Sequence, residues 1–176
     1  MVVIDRDGNV VEGKYKPSTD APTHLLLYKT YNEIGGVIHT HSSYATSWAQ
    51  AGRAIPPLGT THADHYYGDV PITRLLIDEE IESDYEINTG KIIVEILGSV
   101  NPLTVPSVLV NSHGPFCWGT DVDNALYNAV ALEEIARMAF YTVLLGKNEP
   151  INKSLLDKHF KRKHGNDAYY GQIKKK

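Results

Sequence analysis

Paired helix and strand breakers divide this chain into short pieces, and the pieces alternate in kind. Gly35-Gly36, Pro56-Pro57 and Gly114-Pro115 separate runs of different chemistry. Val37 to Ser42 and Val105 to Asn111 are apolar and rich in β-branched residues, as short strands are, and Val70 to Ile77 resembles another. Tyr44 to Ala51, bearing Trp48, reads as a helix, and Glu79 to Leu97 is helical with Gly90 inside it or between two pieces. The clearest helix is capped by Thr120 or Asp121, spaces Leu126, Val130, Ile135, Met138 and Leu145 roughly as a helix requires, and stops at Gly146. Thr19 or Asp20 caps an earlier helix with Pro22 in its first turn, running through Leu25 to Tyr28 and ended by Gly35-Gly36. Leu155 to His164 is a short basic helix. Asp7-Gly8 between two valine-rich runs predicts a hairpin at the start. The mixture is α/β or α+β.

A chain of 176 residues, 42% hydrophobic and 22% charged, suits one soluble domain. We therefore expect a single domain over residues 1–176, with 170–176 as its tail. Lys plus Arg number 17 against 21 Asp plus Glu, a net charge of -4, which draws the chain neither to nucleic acid nor to an anionic membrane. The first residues do not read as a secretory signal, and no run reaches the roughly 18 apolar residues of a membrane span. A lone cysteine, Cys117, fits a reducing compartment, so a cytoplasmic location is expected, with the thiol buried as a small apolar group.

The histidines carry the chemistry. His39 and His41 stand two residues apart on a predicted strand, which places both imidazoles on one face, about 6.6 Å apart along the chain. His113 ends a second apolar run. Three imidazoles meeting there would leave a metal one open position, the pattern of a catalytic rather than a structural ion; the plainer alternative is three ordinary polar residues at strand ends. His62 and His65 flank Asp64 and read as loop or first-turn residues rather than a second metal pair, and His24 has a weaker case.

Asp20 is either a helix cap or a fourth ligand. Asp64, in a Tyr-rich segment, is either a capping carboxylate or a general base. Ser18 and Thr19 precede a helix, where hydroxyls and backbone N–H groups hold anions such as phosphate when they are not simply capping it. Glu86, His159 and Tyr170 are polar residues of open role, although two adjacent tyrosines near a terminus usually dock on this subunit or another. No phosphate-binding glycine loop or nucleophile-elbow pattern occurs.

Taken together, Lys16-Pro-Ser-Thr-Asp20, Thr23-His24, Gly35-Gly-Val-Ile-His39-Thr-His41, Thr60-Thr-His-Ala-Asp64, Ser112-His113-Gly-Pro-Phe, Leu155-Leu-Asp-Lys-His159 and Tyr169-Tyr170-Gly171-Gln172 resemble the L-ribulose-5-phosphate 4-epimerases of the class II aldolase/adducin superfamily. The resemblance covers nearly the whole chain. It implies a three-layer α/β/α fold around a mostly antiparallel sheet, and a homotetramer with its site at a subunit interface. It implies a divalent cation, typically Zn2+, on Asp20, His39, His41 and His113; similar fuculose-phosphate aldolases usually carry Glu at the Asp20 position. Asp64 and Tyr170 match the acid/base pair, with Tyr170 expected to reach a neighbouring subunit's site. Ser18, Thr19 and Asp20 match a substrate loop on the phosphate side, where Thr19 replaces the commoner Ser. Thr60, Glu86 and His159 match supporting positions.

The implied reaction interconverts L-ribulose 5-phosphate and D-xylulose 5-phosphate in pentose catabolism. The C3–C4 bond breaks in a retro-aldol step, the aldehyde fragment turns over, and re-addition inverts C4. The resemblance begins downstream of the family's first helix, early strands, Gly-Asn turn and Lys-Pro-Ser-Gly loop, so weak or no turnover is expected of this chain alone. The alternatives are a sugar-phosphate aldolase of the same superfamily and a non-catalytic domain that binds metal or assembles subunits.

Overall fold

The computed structural model describes residues 1–165 and 168–170. The expected tail lies outside them from Gly171 on. Strands β1 (Val3–Ile4) and β2 (Val10–Glu12) form the hairpin expected from Asp7-Gly8. Gly8 turns it at φ 89°, a left-handed conformation that costs glycine nothing. Helix α1 (Ala21–Thr30) carries its proline in the first turn and ends at Thr30, earlier than Gly35-Gly36.

The main sheet has three strands: β3 (Gly36–His39), β4 (Ser107–Leu109) and β5 (Pro115–Gly119), in the order β3-β5-β4 and antiparallel throughout. Its middle strand, β5, is missed by sequence reasoning. Buried on both faces, Pro-Phe-Cys-Trp-Gly shows no alternation and is bounded by a proline and a glycine. The predicted strand 37–42 closes at His39, so His41 lies just beyond its end. Val70 to Ile77 makes isolated bridges, Ile55 with Val70 and Ile72 with Leu109, and no regular strand. Pro71 has no N–H to give a ladder, and its carbonyl accepts from Leu109 instead.

Helix α2 (Ser43–Gln50) follows β3 directly, and a four-residue helix α3 (Thr60–Ala63) replaces the loop expected there. The helical stretch after Ile77 splits into α4 (Asp78–Glu82) and α5 (Tyr85–Leu97), with Gly90 inside α5. Leu26 crosses α5 at Gly90, where an added Cβ would meet its side chain at 3.3 Å. Helix α6 (Val122–Leu144) is capped by Asp121, whose side chain accepts from Asn124 N–H at 2.7 Å. Helix α7 (Lys153–Lys163) is the basic helix.

Alternation along β5 builds the three expected layers. Phe116 and Trp118 face one way, into a core with Leu27, Ile92, Ile93 and Val108 that joins the sheet to α1 and α5. Cys117 faces the other way, with Trp48, Leu109, Leu132 and Ile135, joining it to α2 and α6. Each such fully buried aliphatic side chain contributes roughly 1.5–3 kcal/mol. The buried indoles keep partners: Trp118 Nε1–H donates to the Pro102 carbonyl at 2.8 Å and Trp48 to that of Ala136 at 3.1 Å.

Candidate functional site

Strand register brings the histidines together. The antiparallel pairing of β3 with β5 sets His39 opposite Phe116, while the tight β4–β5 turn carries His113. In that turn Val110 N–H donates to the Gly114 carbonyl at 2.9 Å and Ser112 sits at φ 62°, which costs a residue with a side chain about 1 kcal/mol. The three imidazoles form a triangle with ring centroids 4.7, 4.9 and 5.0 Å apart, and one nitrogen from each lies within 4.8 Å of the others.

The hydrogen bonds fix which nitrogens face inward. His39 Nδ1–H donates to the Pro115 carbonyl at 2.9 Å, so its Nε2 carries the lone pair, 3.1 Å from His41 Nε2. Two nitrogens sharing a tetrahedral ion at 2.0–2.1 Å stand about 3.3 Å apart, close to the spacing seen. His113 Nδ1 is buried with no hydrogen-bond partner among the described residues, and one of its two ring nitrogens belongs to the three-nitrogen group. Phe116 stacks on His39 at 4.2 Å. Burial lowers the pKa of His39 and His113, partly opposed by the Asp20 charge, which favours the neutral, ligating form. These residues fit a divalent metal.

Asp20 occupies the cap position of α1 yet makes no side-chain cap bond; among the described residues its carboxylate accepts a long 3.5 Å contact from Ser18 Oγ. It stands outside the tight three-nitrogen group, though its charge reaches His24, His39 and His113. Ser18 borders a cleft of about 520 Å³ with Arg6, His24 and Tyr28. Thr19 is exposed beside it. Glu86 lies in the first turn of α5, its carbonyl accepting from Thr23 Oγ1 at 2.5 Å.

The other candidate residues lie elsewhere in the chain. Thr60 opens α3 and Asp64 follows it. The Asp64 carboxylate accepts from His159 Nδ1 at 3.0 Å and from Arg162 Nε and Nη2 at 3.1 and 2.7 Å, with Lys163 Nζ at 3.5 Å. Burial pushes the Asp64 carboxyl upward, and the bonds from Arg162 and His159 more than offset it, leaving its pKa below the ordinary value. Tyr170 lies over the Arg162 guanidinium at 4.9 Å. Asp64, His65, Lys163 and Tyr170 line a cleft of about 430 Å³. Among the described residues no hydrogen bond or ring contact joins Asp64 or Tyr170 to the three histidines.

The remaining candidates contact neighbours outside the three-nitrogen group. His62 is buried and donates Nε2–H to the Gly68 carbonyl at 2.7 Å; burial pulls it down to about 4. His65 packs against Tyr127, and His24 meets Phe116 edge-on. Cys117 is buried, its thiol pushed up to about 12. Sequence reasoning missed Arg162, whose only signal was membership of a basic helix, and the Pro115 carbonyl that orients His39.

The model of the Class II Aldolase and Adducin N-terminal domain matches residues 1–140. The chain belongs to that family. It is 58% identical over 175 residues to the L-ribulose-5-phosphate 4-epimerase UlaF of Salmonella paratyphi B, and equally to that of Salmonella typhi. Each match covers 98% of this chain and 76% of the relative. Among solved structures of class II aldolase type, an L-fuculose 1-phosphate aldolase superposes with TM-score 0.72 at 24% identity, over 90% of this chain and 69% of that one. An L-fuculose 1-phosphate aldolase from Glaciozyma antarctica PI12 gives 0.73 at 19% identity, over 95% and 61%. These likenesses place the fold within the expected α/β class.

Proposed function

We propose that this chain is a zinc-dependent L-ribulose-5-phosphate 4-epimerase, interconverting L-ribulose 5-phosphate and D-xylulose 5-phosphate. The observation that carries the reading is the three-imidazole cluster of His39, His41 and His113, present in a chain 58% identical to proteins named for that activity. His39, His41 and His113 hold the metal, with Asp20 as the fourth ligand. When bound, the cation supplies Lewis acidity toward the carbonyl and hydroxyl oxygens of the sugar.

The chain's own residues do the rest. Ser18 and Thr19, at the start of α1, orient the phosphate end through hydroxyl and backbone N–H donors. Cleavage of C3–C4 requires a proton to leave the C4 hydroxyl, and re-addition on the opposite face requires one to return. Asp64 and Tyr170 serve the two faces, one each. Thr60, Glu86 and His159 support them, His159 through its bond to Asp64.

In one chain the acid/base pair and the histidines occupy separate places, so a second copy supplies what the first lacks. We read the assembly as a cytoplasmic homotetramer of single-domain subunits. Val122, Leu126, Val130 and Leu144 leave an exposed apolar stripe along α6 that suits such a contact. No helix among the described residues is long and apolar enough to cross a membrane.

The test is product analysis with zinc-loaded protein. L-ribulose 5-phosphate converted to D-xylulose 5-phosphate supports the epimerase. Cleavage of L-fuculose 1-phosphate in its place identifies an aldolase, and metal binding with neither reaction identifies a non-catalytic domain.

A further inference from the structure

We propose that Arg162 is a positioning residue that ties Asp64 and Tyr170 into one acid–base unit. The proposal rests on the functional reading above for its reaction, and on geometry alone for the coupling.

Arg162 sits in the last turn of α7 and reaches both residues by different means. Its guanidinium grips the Asp64 carboxylate edge-on, Nε to Oδ1 at 3.1 Å and Nη2 to Oδ2 at 2.7 Å. Two parallel bonds from a planar fork fix the orientation of the carboxylate as well as its place. The same guanidinium also lies over the Tyr170 ring, its Cζ 4.9 Å from the ring centroid. Its backbone carbonyl also accepts from both Tyr169 and Tyr170 N–H at 2.9 Å, which sets the direction of the chain bearing the phenol. One side chain thus holds the carboxylate in its fork and lies against the phenol ring.

Charge alone does not account for the arrangement. Lys163 also approaches Asp64, at 3.5 Å, and lies over the Tyr170 ring at 5.6 Å. What Arg162 adds is the bidentate fork and the closer approach to the ring. The other groups around Asp64 are His159 on α7, His164 through the Asp64 carbonyl, and His65 beside it. None of them bridges to Tyr170 among the described residues.

The test compares Arg162→Met and Arg162→Lys in the zinc-loaded oligomer. Arg162→Met is expected to lower kcat by about a hundredfold, as small misplacements of reacting groups do, with KM changed by less than about threefold. The acid limb of its kcat/KM profile should move to higher pH, because Asp64 loses a cationic partner. Arg162→Lys should keep the acid limb in place yet recover only part of kcat. A kcat within about twofold of wild type in Arg162→Met, or full recovery in Arg162→Lys, overturns the proposal. Carbon-13 signals of the Asp64 carboxyl and the Tyr170 phenol give a readout free of turnover. Both should shift in Arg162→Met; movement of only one overturns the coupling. Cleavage of L-fuculose 1-phosphate in place of epimerisation sinks the functional reading and leaves this NMR result standing. If Arg162→Met does not fold, Arg162→Lys carries both readouts, with partial loss of kcat and a change in both signals expected.

Discussion

His39 Nε2 and His41 Nε2 lie 3.1 Å apart, although β3 has already ended at His39 and His41 belongs to the segment leading into α2. Glu133 on α6 pins that segment by accepting from Tyr44 and Ala45 N–H, both at 2.9 Å. The pairing therefore depends on a strand end, a helix start and a carboxylate from a third element.

His41 is the exposed member of the triad, so its loss tests metal binding without opening the core. His41→Ala is expected to weaken zinc affinity at least about a hundredfold, the upper end of what even outer-shell partners contribute, with the melting temperature of the metal-free protein unchanged. Zinc per chain after dialysis against a weak chelator, measured beside circular dichroism, checks this. Stoichiometric zinc in the variant removes His41 from the ligand set.

Gly114 sits where a side chain has no room. A Cβ there would lie 2.8 Å from the Thr40 carbonyl oxygen and 3.6 Å from His39 Cε1. Gly114→Ala must push the His113 turn away from β3, at a stability cost of about 1–3 kcal/mol. Metal affinity should fall as well, since His113 moves with the turn. Zinc titration and denaturant unfolding together measure the two effects, and unaltered affinity would show the turn yielding elsewhere.

The ion pair of Asp64 gives a pH signature with a definite sign. Its carboxyl is depressed in the folded chain, burial being more than offset by Arg162 and His159. Such a group adds stability above the unfolded carboxylate range, near 3.9, and loses it as pH falls through the lower folded value. Asp64→Asn should therefore be less stable than wild type at pH 7, by about 1 kcal/mol given that Arg162 and Lys163 remain partly in water. The difference should shrink below about pH 4. Equal differences at pH 7 and pH 3 would mean that the pair does not form in solution.

A site shared between subunits predicts complementation. His113→Ala and Tyr170→Phe should each be inactive alone. Oligomers reassembled from an equal mixture should regain about a quarter of wild-type activity per chain if each site draws on two copies. No recovery in demonstrably mixed oligomers would place both halves of the site in one chain.

Much of this was legible along the chain. The hairpin from Asp7-Gly8, the cap at Asp121, the proline in the first turn of α1 and the basic helix α7 all follow from local rules that hold wherever the segment ends up in space. The three histidines were legible as candidates too, because a His-x-His on a predicted strand and a His at the end of an apolar run are short-range patterns. The middle strand was not: Pro115–Gly119 is apolar on both faces, and periodicity says nothing about a segment with no exposed side.

The sequence by itself determined which residue types were present to bind an ion and move protons, and roughly which elements would bear them. Only the tertiary structure decided that β5 lies between β3 and β4, which sets His113 beside His39, and that α7 packs on α3, which locks Asp64 to Arg162 across almost a hundred residues. Those pairings are made by the burial of Phe116, Trp118 and Phe160. Hydrophobic burial has no direction and no memory of distance along the chain, so no local pattern could announce them.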